Sequence, residues 1–209
     1  MTTTIFTKIT KSKYLPFVII ALGILLRFFG IWWNLPKIYH PDENALISGG
    51  LGLRIVSNLK HFEWPHLQMY ISLFAISIWA KITDIYGLLF NVNVASSTSI
   101  LLSRPASFFL VVRFVSFLFS SFSLVIFYKG VKNLFGNAVA LVSVLIFCLS
   151  LQNIEDAHYA TLESALTFWV ILVFYFSQKI FKGGGYIIYI PPTFKYFLTK
   201  IKNQNNPKC

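Results

Sequence analysis

The sequence predicts an all-α fold, a polytopic membrane helical bundle of about four transmembrane helices with interfacial helices in a long first outer loop. Three observations predict it. Hydrophobic residues make up 56% and aromatic residues 18% of the 209 residues, against 12% charged, and the mean hydropathy is +0.67, which lies outside the range of soluble domains. The apolar residues are gathered into runs close to the ~20 residues that a helix needs to cross hydrocarbon. Basic and acidic residues fall into separate segments once those runs are treated as crossings. A formal charge of +11 in so apolar a chain sets topology rather than binding nucleic acid, and no nucleic-acid partner is expected. Cys148 inside an apolar run and Cys209 at the last position share no ligand spacing and make no disulfide framework.

The first run, residues 14–33, follows Lys8, Lys11 and Lys13 and ends in Trp32-Trp33-Asn34-Leu35-Pro36. It lacks the small-residue cleavage site of a signal peptide, so it reads as an uncleaved span with an aromatic interfacial collar and a cytoplasmic N-terminus. Further runs cover residues 67–90, 108–128, 137–151 and 162–181. Five crossings would export Lys195, Lys200, Lys202 and Lys208 and leave Lys129 and Lys132 outside, against the positive-inside rule. If 67–90 lies in the interface instead, four spans remain, both termini are cytoplasmic, and Lys129, Lys132, Lys179 and Lys182 fall inside. All seven acids then fall outside: Asp42, Glu43, Glu63 and Asp84 in the loop 34–107, and Glu155, Asp156 and Glu163 in or beside the second outer loop. Lys37, Arg54, Lys60, Lys81 and Arg104 share the first loop, which exceeds the ~60 residues over which the rule is informative. Gln68, Lys81 and Asp84 also suit a half-buried helix better than a lipid-facing one. Gly183-Gly184-Gly185 closes the last span, and 183–209 reads as a basic cytoplasmic tail.

Three patches on the outer side carry the residues with chemistry. His40-Pro41-Asp42-Glu43 follows the first span. Its plain reading is a helix start, because acids in a first turn face the positive end of the helix dipole. Its sharper reading is a general base at the bilayer rim, with a neighbouring carboxylate or His setting its charge state. Glu155-Asp156-Ala157-His158-Tyr159-Ala160-Thr161-Leu162-Glu163 joins two spans, and Glu163 enters the following run, where an ionisable group is either paired or functional. Arg113, inside its own span, is the partner expected for it; Arg27 in the first span is equally costly if unpaired. Glu63-Trp64-Pro65-His66-Leu67-Gln68-Met69-Tyr70 reads either as an interfacial aromatic belt or as a wall of the site contributing His61 or His66.

In order and spacing these landmarks resemble the integral-membrane glycosyltransferases that use polyprenyl- or dolichyl-phosphate-linked sugars, the group that includes the protein O-mannosyltransferases and the lipid A aminoarabinose transferases. Arg27 precedes the acidic pair Asp42-Glu43, and Trp64-Pro65-His66-Leu67 looks like that family's Pro-Pro-Leu-aromatic stretch. Arg113-Phe114-Val115-Ser116 opens a span ending in Tyr128-Lys129-Gly130 and Leu134-Phe135-Gly136, and His158 through Glu163 sits where family members carry a similar phrase ending in Asp. The resemblance runs over residues 15–181. Glu163 departs from the family's Asp, and His66 stands in place of the second Pro. Family members continue with further spans, so 1–182 is expected to correspond to the N-terminal part of the module, from a truncated, split or degenerate protein.

The resemblance implies inverting transfer of a hexose or pentose at the extracytoplasmic face. Asp42 is its expected base, and Glu43 is the second catalytic carboxylate, for acceptor positioning or metal binding along with Glu163. Arg113 is expected on the donor phosphate or orienting Glu163, and His40, His158 and His66 complete the donor and acceptor contacts. The sequence carries no dedicated metal motif; a divalent cation on oxygen ligands from both loops is left open. Expected partners are the lipid-linked sugar, membrane lipids and a complementing membrane subunit. The alternative function is a non-catalytic membrane subunit that binds a lipid-linked sugar or a partner protein. A small transporter lined by Arg27, Arg113 and Glu163 ranks last, because no internal repeat is visible.

Overall fold

The computed structural model describes residues 13–35, 37, 40–52, 65–90 and 105–182. Among them every regular element is a helix: α1 (Leu15–Phe28), α2 (Pro41–Gly52), α3 (His66–Phe90), α4 (Pro105–Phe135), α5 (Asn137–Leu149), α6 (Leu151–His158) and α7 (Glu163–Lys182). The described residues up to Tyr175 cluster as one compact unit, and the final turns of α7, from Phe176, fall in a second. The stretches holding His61, Glu63 and Trp64, Arg104 and the tail from Gly183 lie outside the described residues.

Local sequence explains where these helices start and stop. Pro16 in the first turn of α1 and Pro41 and Pro105 at the first positions of α2 and α4 exploit a place where a missing N–H costs nothing. Helix α1 ends after 14 residues, about 21 Å at 1.5 Å per residue and short of the ~30 Å hydrocarbon core. Residues Phe29–Leu35 then form turns, with Gly30 at φ 115° and Asn34 at φ 63°. The expected first span is therefore a helix plus a turn, not one continuous helix. Gly30 is required twice, since a Cβ there would also lie 3.0 Å from the His158 ring.

Helix α4, 31 residues long, is the central element and packs against α1, α2, α3, α5 and α6. Around its N-terminal half, Phe108, Phe109 and Val112 form one core with Leu46 and Ile47 of α2, Met69 and Ile76 of α3, and Ala160. Around its C-terminal half, Leu124 and Tyr128 form a second core with Ala140, Leu141, Val144 and Cys148 of α5, covered by Ile19, Ile20 and Ile24 of α1. Gly23 permits this close approach: a Cβ there would meet Cys148 Sγ at 2.5 Å and Leu124 at 2.9 Å.

Three helices are long and apolar enough to cross a membrane, His66–Leu89, Ala106–Phe135 and Glu163–Phe181, and a fourth crossing follows if α5 and α6, bent by 54° at Ser150, are counted as one. Their outward faces carry Phe74, Ile78 and Leu88, Leu110 and Phe122, and Val170, Val173 and Phe174. Water does not sustain apolar faces of that extent, whereas lipid does. The protein is an integral membrane helical bundle with three or four candidate crossings. The set differs from the sequence expectation, however. The stretch expected in the interface, 67–90, is long enough to cross, while 14–33 contributes only a short helix.

The two buried arginines lie between the cores. Arg27 has no acidic partner among its contacts. Its Nε donates to Ser120 Oγ at 2.8 Å, Nη1 to the Gly23 and Cys148 carbonyls at 3.1 and 3.2 Å, and Nη2 to the Phe147 carbonyl at 3.1 Å. Phe147 and Cys148 are in the last turn of α5, whose carbonyls have no intrahelical partner and form the negative end of its dipole. The guanidinium thus satisfies the carbonyls released by the bend at Ser150, which apolar surroundings would otherwise leave orphaned at several kcal/mol each.

Candidate active site

The first functional feature is a buried clamp. Glu43 and Arg113 are 0% and 1% exposed, and they form a bidentate pair: Arg113 Nε donates to Glu43 Oε1 at 2.7 Å and Nη2 to Oε2 at 2.8 Å. Arg113 Nη1 also donates to the Ile31 and Trp33 carbonyls at 2.9 and 2.8 Å, in the turn that ends α1. The Ala160 N–H, on the connection to α7, donates to Glu43 Oε1 at 2.7 Å. One ion pair therefore ties together α4, α2, the turn after α1 and the α6–α7 connection, with the carboxylate engaged on both oxygens. Parallel charge-assisted bonds of this kind fix geometry as well as contributing energy. The pairing expected between Arg113 and Glu163 is not what forms; Glu163 is exposed in the first turn of α7.

Asp42 precedes Glu43 by one residue and so points about 100° away around α2. It is half-exposed and faces a cleft of about 110 Å³ with His40, Glu155, Asp156, Thr161 and Glu163, to which Gln152 and Tyr159 also contribute. His40 Nδ1 stands 3.9 Å from Asp42 Oδ2, and its ring lies 5.2 Å from that of Tyr159. Gln152 Nε2 donates to Asp156 Oδ1 at 2.8 Å, an i,i+4 contact on α6.

A second cavity of about 310 Å³ adjoins the first, sharing Glu155 and Tyr159. Arg113 and His158 provide its polar wall, and Trp33, Leu151 and Ile154 its apolar one. His158 Nε2 is 3.2 Å from the Leu26 carbonyl, and the Arg113 guanidinium lies 5.4 Å from the Tyr159 ring centre. The structure thus brings His40, Asp42 and Glu163 to one cleft and Arg113 and His158 to the neighbouring cavity, with Glu43 buried at the clamp. His66 opens α3 and lines neither cavity. Tyr159 and Thr161 were not singled out by sequence, although they stand inside the phrase that runs from His158 to Glu163. Among the described residues no group of three or more His, Cys, Asp or Glu side chains is arranged to hold a metal ion.

No curated protein and no solved structure matches the chain. Residues 103–184, about two-fifths of the chain, match the family model of dolichyl-phosphate-mannose-protein mannosyltransferase. That segment contains Arg113 and the cleft's Glu155, Asp156, Tyr159, Thr161 and Glu163. His40, Asp42 and Glu43 precede it and meet it at the clamp and across the cleft, where the His40 ring lies beside that of Tyr159. Over the segment that builds most of the cleft, the chain is similar to the dolichyl-phosphate-mannose-protein mannosyltransferases, a family of membrane glycosyltransferases.

Proposed function

We propose that the chain moves a sugar from a polyprenyl-phosphate-linked donor to an acceptor at the extracytoplasmic face, with Asp42 as the general base. One observation carries this reading: Asp42 opens into the acid-lined cleft, while its neighbour Glu43 anchors α2 to Arg113 in the segment that resembles the mannosyltransferases. In the transfer step, the Asp42 carboxylate takes the proton of an acceptor hydroxyl or amine. The acceptor atom bonds to the anomeric carbon, and the bond from that carbon to the phosphate oxygen breaks, releasing the lipid phosphate with inversion. General-base assistance of this kind contributes about 10²–10⁴-fold.

The larger cavity is assigned to the donor, its phosphate toward Arg113 and His158 and its first prenyl unit against Trp33, Leu151 and Ile154. Arg113 and Glu43 act as positioning residues, since four of the five guanidinium N–H bonds are already committed. Glu163 and His40 border the acceptor. The N-terminus and the tail are placed in the cytoplasm, by the distribution of lysines.

The test is transfer from dolichyl-phosphate-mannose by the purified chain in lipid nanodiscs. Asp42→Asn is expected to lower turnover at least 100-fold with unchanged expression and melting temperature. Turnover retained in that variant removes Asp42 as the base.

A further inference from the structure

A transfer between two adjoining cavities happens at the wall that they share. With the donor phosphate beside Arg113 and His158 and the base at Asp42, the anomeric carbon has to be reached from both sides. Among the described residues, Glu155 and Tyr159 are the two that line both the cleft and the larger cavity. They stand four positions apart at the end of α6, and they differ in freedom. The Tyr159 ring is held from the acceptor side by the His40 ring at 5.2 Å and from the donor side by the Arg113 guanidinium at 5.4 Å. Its backbone is held as well, because the next N–H, that of Ala160, donates to Glu43 Oε1. Glu155 is exposed, and among the described residues nothing bonds its carboxylate, whereas Arg113 engages Glu43 and Gln152 engages Asp156.

The larger cavity, at about 310 Å³, exceeds the ~150 Å³ that admits benzene, so a six-membered ring fits against this wall from the donor side. An ionised carboxylate only accepts hydrogen bonds and does so on two oxygens, and adjacent hydroxyls of a sugar ring present two donors at matching separation. We infer that Glu155 contacts the transferred sugar, its two oxygens accepting from neighbouring ring hydroxyls, and that Tyr159 is a positioning residue that fixes the wall between His40 and Arg113. The inference deepens the proposed function and rests on it for the identity of the ligand. A site built to bond a substrate hydroxyl discriminates strongly against a ligand that lacks it, because its polar group is then left unpaired.

The test measures binding to the full chain in zwitterionic nanodiscs by titration calorimetry. The probes are citronellyl mannosyl phosphate and citronellyl methyl phosphate, two diesters of equal charge that differ in the sugar. The parent chain is expected to bind the mannosyl diester about 10-fold or more tighter than the methyl one. Glu155→Gln, at an exposed position, is expected to cut that preference to about threefold or less and to leave the affinity for the methyl diester unchanged. Tyr159→Leu is expected to lose the preference too, and Tyr159→Phe, which keeps the ring, to retain it. Equal binding of the two diesters by the parent chain, or an undiminished preference in Glu155→Gln, overturns the inference. A chain that shows a Glu155-dependent preference but transfers no mannose supports the sugar contact and rejects the glycosyltransferase reading. Transfer at the parent chain's kcat/KM in Glu155→Gln rejects the sugar contact alone, and binding of neither diester rejects both.

Discussion

Replacing Glu43 by Gln keeps the size of the side chain and removes only its charge, which makes it the sharpest perturbation of the clamp. In the native pair, Oε1 accepts from Arg113 Nε and the Ala160 N–H, and Oε2 accepts from Arg113 Nη2. An amide presents one NH₂ to a donor in either orientation, so at least one donor–donor contact results and the buried guanidinium loses its counter-charge. Breaking a buried pair in this way costs about 3–5 kcal/mol. At about 2–4 °C per kcal/mol for a chain of this size, the melting temperature should fall by roughly 6–20 °C. The assay is thermal unfolding in detergent, followed by tryptophan fluorescence, for Glu43→Gln, Arg113→Met and the double variant. The pair is expected to couple by about 2–3 kcal/mol, because the second substitution removes the charge that the first one stranded. A melting temperature within 2 °C of the parent chain in Glu43→Gln, or additive losses in the cycle, would refute the clamp. If transfer is abolished at unchanged melting temperature, Glu43 belongs to the chemistry.

Arg27→Met leaves the Phe147 and Cys148 carbonyls at the end of α5 without their donor, at several kcal/mol for each in apolar surroundings, and should lower the melting temperature in the same assay. On the topology read from the charges, with residues 14–33 crossing and α3 in the interface, a reporter fused after Phe90 is expected to be extracytoplasmic; a cytoplasmic signal there would make α3, which is long and apolar enough to cross, one of the spans and overturn that topology.

Much of this protein was legible from local pattern. The helical class, the apolar runs and the start of α2 at Pro41-Asp42-Glu43 each depend on residues within a few positions of one another. The division of labour between the two adjacent acids also left a trace. Glu43 precedes the buried Leu46, Ile47 and Gly50 by three, four and seven positions and so continues their stripe, whereas Asp42 is out of phase with it. That phase was available in the sequence as the signal for which carboxylate goes inward.

The partner of each buried charge was not legible. Glu43 and Arg113 are separated by 70 positions, and Arg27 bonds to carbonyls about 120 positions away. Periodicity places a side chain on a face of its own helix but says nothing about which other face it meets. Sequence alone therefore determined that two arginines and two groups of acids had to be accommodated in an apolar bundle. Only the tertiary structure decided that Arg27 is satisfied by a broken helix end and Arg113 by Glu43. That choice leaves Asp42, Glu155, Asp156 and Glu163 facing one cleft, because a buried charge must find its counterpart through packing, while an accessible one is free to serve a ligand.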